Sequence, residues 1–302
     1  MRLNPLIEDP TLANLINGSA TIERLGGDCL WAEGPAWLPR RNAVVWSDVR
    51  RNRIMRWTEE AGVEVERTEV EYTNGRTLDR EGREVVCSQG HRRIERVEED
   101  GTITPLVSSY QGSRLNSPND VVVKSDGTIW FTDPPYGILT SEEGHAADPE
   151  LPGCYVFRFD PVTLTLTIVT DLMVHPNGLA FSLDESVLFI SDTGGAIDPA
   201  GNHHIMAFDV ENGTQLRNPR LFAEISPGFP DGLRVDRTGH VFTSAGDGIH
   251  ILTPNGRRIG KIPLPEVTSN CVFGGPDGSD LFMTATTSLY RVRTRTAKAP
   301  RP

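Results

Sequence analysis

A short apolar signature recurs six times along this chain: Ile54-Met55-Arg56-Trp57, Ile94-Glu95-Arg96-Val97, Val156-Phe157-Arg158-Phe159, Ile205-Met206-Ala207-Phe208, Ile249-His250-Ile251-Leu252 and Leu289-Tyr290-Arg291-Val292. Four copies run into a glycine-bearing turn, at Gly62, Gly101, Gly213 and Gly256, and a fifth into Asp160-Pro161. β-Branched and aromatic residues followed by turn formers encode a strand and its reversal. A second apolar strand precedes each copy, ending at Asp48, Ser88, Asp133, Asp192, Ser244 and Ala285. Before that strand comes a third element with a polar residue at its head: Glu33, Asn74, Asn119, Asn177, Asp231 and Asn270. Six all-β units of ~40–60 residues, with no long helical period, specify a six-bladed β-propeller; a solenoid would use shorter repeats. The stretch 20–24 is expected to pair with the last blade and close the ring. Residues 1–302 then form a single domain, with about residues 1–29 packing on or closing the last blade.

The innermost strand of a blade starts beside the central channel, so the six heading residues face one axis. All six are carboxylates or carboxamides. Asn and Asp also favour strand-opening turns through bonds to their own backbone. That accounts for Asn177-Gly178 and Asp231-Gly232, but not for one chemistry converging on the axis. Oxygen-only donors suit hard cations, above all Ca²⁺. The carboxylates of Glu33 and Asp231 would balance a divalent charge, and the absence of Cys and His argues against a structural zinc site.

The loops after the second strands share a face with the axial residues. The longest, residues 133–153, is a candidate lid or specificity wall offering Tyr136 and His145. The second loop offers Gln89 and His91 and the fourth His203 and His204; a lone histidine in a loop is more often solvated than a ligand. The chain has no nucleophile elbow, no zinc-protease helix motif and no phosphate-binding loop. The pairs Arg50-Arg51 and Arg92-Arg93 read as solvated, and the tryptophans at 31, 37, 46, 57 and 130 as mostly core.

The net charge of −11 argues against nucleic acid or an anionic membrane as partner. No window reaches the ~18 apolar residues of a spanning helix, and the first residues lack the apolar core of a secretory signal. The four cysteines, Cys29, Cys87, Cys154 and Cys271, lie far apart and read as free thiols. A cytoplasmic protein, monomeric or a small homo-oligomer, is expected.

The segments Glu33-Gly34-Pro35-Ala36-Trp37, residues 114–137 (RLNSPNDVVVKSDGTIWFTDPPYG), 175–185 (HPNGLAFSLDE) and 230–236 (PDGLRVD) resemble the gluconolactonase family, which includes regucalcin (senescence marker protein). The similarity runs from about residue 33 to residue 292. It implies a propeller with one divalent cation in its channel, Ca²⁺ first, with Zn²⁺, Mg²⁺ or Mn²⁺ as alternatives. The implied metal ligands fall on Glu33, Asn177 and Asp231. Asn119 would face the metal directly or through water and contact substrate, and Asp231 would also be the general acid/base. Asn74, Gln89, His91 and Tyr136 complete the expected substrate contacts. Two positions depart from the family pattern. Ser117 stands where one branch has an arginine, with Arg114 farther upstream, and Ser88-Gln89 stands where a Glu-His pair is common.

The implied reaction is hydrolysis of a sugar lactone of the glucono-1,5-lactone type to its aldonic acid. The cation polarises the carbonyl and Asp231, or a water it orients, delivers the nucleophile. A non-sugar lactone, an aryl ester or a phosphotriester are alternative substrates for the same site. A non-catalytic calcium-binding propeller is the alternative from another class; the open, walled face formed by Asn119 and the long loop weighs against it.

Overall fold

The computed structural model describes residues 4–300; the expected domain 1–302 also takes in residues 1–3 and 301–302, outside the described residues. Six antiparallel sheets radiate from one axis, five of four strands and one of five, beside a two-stranded ribbon of Ser109–Tyr110 and Ser113–Arg114. In blade one the strands are Ala32–Leu38, Ala43–Asp48, Arg53–Thr58 and Gly62–Thr68, ordered from axis to rim. Each third strand carries one copy of the apolar signature, from Arg53–Thr58 to Ser288–Arg293. The fold is an all-β, six-bladed β-propeller.

The core sits in the seams between blades. Each of the six apolar clusters joins two neighbours, because both faces of every blade are apolar and only an adjacent blade can cover them. In the seam between blades six and one, Phe282 stacks on Trp37 with centroids 5.9 Å apart and meets Trp57 at 5.3 Å. Trp37, Trp46, Trp57 and Trp130 are core residues. Trp31 differs: it lies in the segment before an inner strand and faces the channel mouth.

The ring closes through the N-terminal segment. Blade six takes its three inner strands, Thr268–Gly274, Asp280–Ala285 and Ser288–Arg293, from the end of the chain and its outer strand, Ile22–Gly26, from the beginning. The segment reaches further than the last blade, since Leu6–Ile7 pairs with Arg258–Pro263 on the rim of blade five. Between the two pairings Leu12, Leu15 and Ile16 are buried among Phe242, Ile259, Phe273 and Tyr290 in the seam of blades five and six. A charge placed in that seam would be desolvated without a partner. Ile22→Asp is therefore expected to lower stability by about 2–4 kcal/mol, read from urea unfolding midpoints. An unshifted midpoint would show that the ring closes without this strand.

Candidate functional site

The backbone around the axial residues is partly taken out of its own blade and held by a neighbouring one. The ladder between first and second strands is interrupted at the axial position, between Glu33 and Ala36, Thr73 and Arg76, Pro176 and Leu179, and Thr268 and Asn270. In blades three and five the inner strand begins after it, at Val121 and Leu233. Such irregularities re-aim side chains. The freed groups bond across the seam: the Gly75 N–H donates to the Asn119 carbonyl (2.8 Å) and the Gly178 N–H to that of Asp231 (3.1 Å). Hydroxyls near the ends of the second strands pin axial carbonyls of the neighbouring blade. Ser47 donates to Asn74 O (3.0 Å), Thr132 to Asn177 O (2.7 Å) and Ser191 to Asp231 O (2.6 Å).

The aspartates that end three of these strands hold the segments leading to the inner strands. Asp48 accepts from Leu30 N, Asp133 from Asn116 N and Asp192 from Val174 N, each at 2.8 Å.

Five axial side chains, Glu33, Asn74, Asn119, Asn177 and Asp231, meet at the floor of a cavity of about 300 Å³. All but Asp231, which is partly exposed, are buried. The sixth, Asn270, lies beneath and positions Glu33, its Nδ2 donating to Glu33 Oε2 at 3.2 Å while Gly34 N donates to the same oxygen. Glu33 Oε1 and Asn74 Oδ1 are buried without a hydrogen-bond partner. Burial, then the nearby Asp120 carboxylate, pushes Glu33 up to about 8. Burial, then repulsion from Glu33 and Asp120, holds Asp231 well above the usual carboxylate range. Asp120, which sequence reasoning passed over, accepts from Val121 N and faces Arg234 at 3.5 Å.

The roof is the long loop. It opens with a single helical turn, Tyr136–Leu139, fixed by Ser117, whose hydroxyl donates to Pro134 O (2.6 Å) and accepts from Gly137 N (2.9 Å). Ser117 thus positions the roof. Tyr136 enters the cavity, with its ring stacked on His175 and its buried hydroxyl without a partner. Glu143 crosses to blade one, where Arg50 Nε donates to it at 2.9 Å and the guanidinium lies 5.6 Å from the Trp31 ring centre.

Several expectations change here. Arg50 is exposed, as expected, and also forms part of the wall. Arg92 is buried, its Nε donating to Leu115 O and Asn116 O. Gln89 and His91 do not line the cavity. Gln89 is buried beneath the helical turn, close enough that a Cβ on Gly137 would stand 2.7 Å from its own. His91 turns to Glu95 (2.8 Å), and His145 bonds Glu71 (3.0 Å), tying the roof to blade two. Arg114 is exposed beside them. The remaining walls are Thr193, Ala196, Ile197, Phe229, Val267 and Thr268, mostly loop residues with no distinguishing motif. Arg50 and Glu143 could have been found only as opposite charges on two loops of one face.

A larger cavity of about 580 Å³ opens on the opposite face between blades one and two. Most of its charged side chains are in ion pairs, as in Arg41–Glu66 at 2.7 Å and Arg40–Glu99 at 2.7 Å, so it offers less unmet chemistry than the axial cup.

Among the described residues no three His, Cys, Asp or Glu side chains are grouped as a metal centre. The axial cup does fit a hard divalent cation on other grounds. Its donors are all oxygens, two of them orphaned, and its two carboxylates repel each other in a buried place. Fold and site define a six-bladed propeller with a walled cup of hard oxygen donors at one mouth of its channel. The chain belongs to the SMP-30/Gluconolactonase/LRE-like region family, whose model matches residues 31–287. It is 33% identical over 310 residues to a gluconolactonase of Zymomonas mobilis, covering 95% of this chain and 85% of the relative. A pentonolactonase of Haloferax volcanii is 27% identical, covering 85% of this chain and 81% of its own. The solved structure of a gluconolactonase from Xanthomonas campestris superposes with a TM-score of 0.89 at 39% identity, covering 96% of this chain and 95% of that one.

Proposed function

We propose that the axial cavity opens a sugar lactone of the glucono-1,5-lactone type to its aldonic acid. The chain is a lactonase by its family and its relatives; the sugar lactone, the cation and the residue roles are the finer reading. The observation that carries it is the cluster of Glu33, Asn119, Asn177 and Asp231 on the floor of one small cavity, with buried oxygens left unpaired. Glu33, Asn177 and Asp231, with Asn119 beside them, would hold one divalent cation, Ca²⁺ first, that polarises the lactone carbonyl and stabilises charge on its oxygen. Asp231, the partly exposed member, accepts the proton of the attacking water. The water oxygen bonds to the carbonyl carbon, the ring C–O bond breaks, and the proton passes to the departing ring oxygen.

Asn119 and Asn74 offer amide groups to the substrate. The Tyr136 hydroxyl, buried without a partner, donates to a substrate oxygen. Tyr136→Phe is accordingly expected to lower kcat about tenfold with a smaller change in KM, the loss of one hydrogen bond made during the reaction. An unchanged kcat would remove Tyr136 from the site. We place the protein in the cytoplasm on its four free thiols, of which Cys29, Cys87 and Cys271 are buried. Among the described residues no helix is long and apolar enough to cross a membrane.

The direct test is pH-stat hydrolysis of glucono-1,5-lactone by chelator-stripped protein, re-adding Ca²⁺, Zn²⁺, Mg²⁺ or Mn²⁺ in turn. Activity lost on stripping and restored by one ion is the expected result. Full activity in the stripped protein would end the metal-dependent reading.

A further inference from the structure

The cavity is divided by its walls. On the side of blade one and the roof stand Arg50 and Glu143, paired with each other. On the side of blades four to six the lining is Ala196, Ile197, Phe229 and Val267, with Thr193 and Thr268 among them. Ile197 and Val267 are 46% and 44% exposed, large apolar side chains left in water at the mouth of a polar cup.

These residues are held on fixed backbone. Ile197 follows the 3-10 turn Gly194–Ala196, which is fastened where Gly195 N donates to Asn202 O (2.8 Å) and Asn202 Nδ2 donates to Asp192 (2.9 Å). The Phe229 ring lies against Gly195, where a Cβ would come within 3.3 Å of it. The adjoining Pro230 carbonyl accepts from the Thr193 hydroxyl at 2.8 Å. Val267 is presented by Glu266, whose carboxylate accepts from Thr287 N, Ser288 Oγ and Tyr290 Oη at 2.6–2.7 Å. Apolar surface that cannot collapse onto itself is covered only by what enters the cavity.

Resting on the lactonase reading, we infer that Ile197, Phe229 and Val267 form an apolar subsite that takes a hydrocarbon substituent of the lactone. The substrate class therefore extends to alkyl- and aryl-substituted lactones. The reacting ring sits over the axial carboxylates. A substituent on the far ring carbon points to blades four to six, away from the Arg50–Glu143 pair. The chemistry is unchanged: water adds to the carbonyl and the ring oxygen leaves with a proton.

The test is kcat/KM for δ-lactones that differ only in the length of one alkyl substituent, with glucono-1,5-lactone as reference. Native protein is compared with an Ile197→Asn, Val267→Thr double variant, and a thermal melt shows that the variant is folded. Each added methylene is expected to raise kcat/KM of the native protein about threefold to fourfold until the wall is covered. The double variant should flatten that slope. A flat or falling series in the native protein overturns the subsite, and if glucono-1,5-lactone is still hydrolysed the lactonase reading survives it. A rising series that the double variant leaves untouched overturns the assignment to these residues. Hydrolysis of no lactone at all overturns the underlying reading and this inference with it.

Discussion

An Asp231→Asn variant is expected to lose at least about a thousandfold in kcat/KM toward glucono-1,5-lactone while staying folded. The fold does not depend on the carboxylate. Asp231 is set in place through its backbone, whose carbonyl accepts from Ser191 Oγ and Gly178 N and whose N–H donates to Ser244 Oγ. The side chain projects into the cavity, where asparagine has the same shape without the charge. Melting without divalent ions should hold or rise, because the substitution removes a carboxylate that repels Glu33 and Asp120. Two losses should appear together. The group that takes the proton from water is gone, and so is one of the two axial carboxylates that balance a divalent cation. Calcium titration by calorimetry should therefore show weaker binding, and Glu33→Gln should share that defect. A variant that binds calcium as before and hydrolyses the lactone at full rate would refute both roles.

The axial set was legible because the repeat supplied a coordinate system. With the three inner strands of each blade identified, Glu33 through Asn270 each stand at the head of a first strand, and that position must face the channel. What remained hidden is what loops do. Arg50 and Arg92 each sit in a basic pair, and nothing in the pair distinguishes a guanidinium packed at the cavity mouth from one buried against two carbonyls. Gln89 and His91 lie in the right loop on the right face, yet the turn hides one beneath the helical turn of the roof and sends the other to Glu95. Asn270 was found as an axial residue, but its amide is used to orient Glu33 rather than to line the cavity. Periodicity fixes which strand a residue is on and which way it faces. It carries no information on side-chain partners that come from another blade.

Gly178 tests how tightly this architecture is built, and Gly178→Ala is expected to cost about 3 kcal/mol or more. The reason is contact and not backbone freedom. A Cβ at Gly178 would stand 2.2 Å from the Asp231 carbonyl oxygen, which already receives the Gly178 N–H and the Ser191 hydroxyl. The obstacle is backbone, so no side chain can turn aside; blades four and five must separate at the axis. The Asp231 carboxylate would move with its own main chain. Displacement of a reacting group by about 1 Å costs on the order of a hundredfold in rate, so activity should fall with stability. Gly62 supplies the contrast. It has a positive φ of 72° in an outer turn, and a Cβ there meets nothing within 4 Å. Gly62→Ala should cost only about 1 kcal/mol of backbone strain and leave the rate alone. Urea unfolding and lactone hydrolysis on the two variants separate the cases. Equal midpoints and equal rates would mean that the seam between blades four and five yields freely, and that Asp231 is not held by the packing of its neighbours.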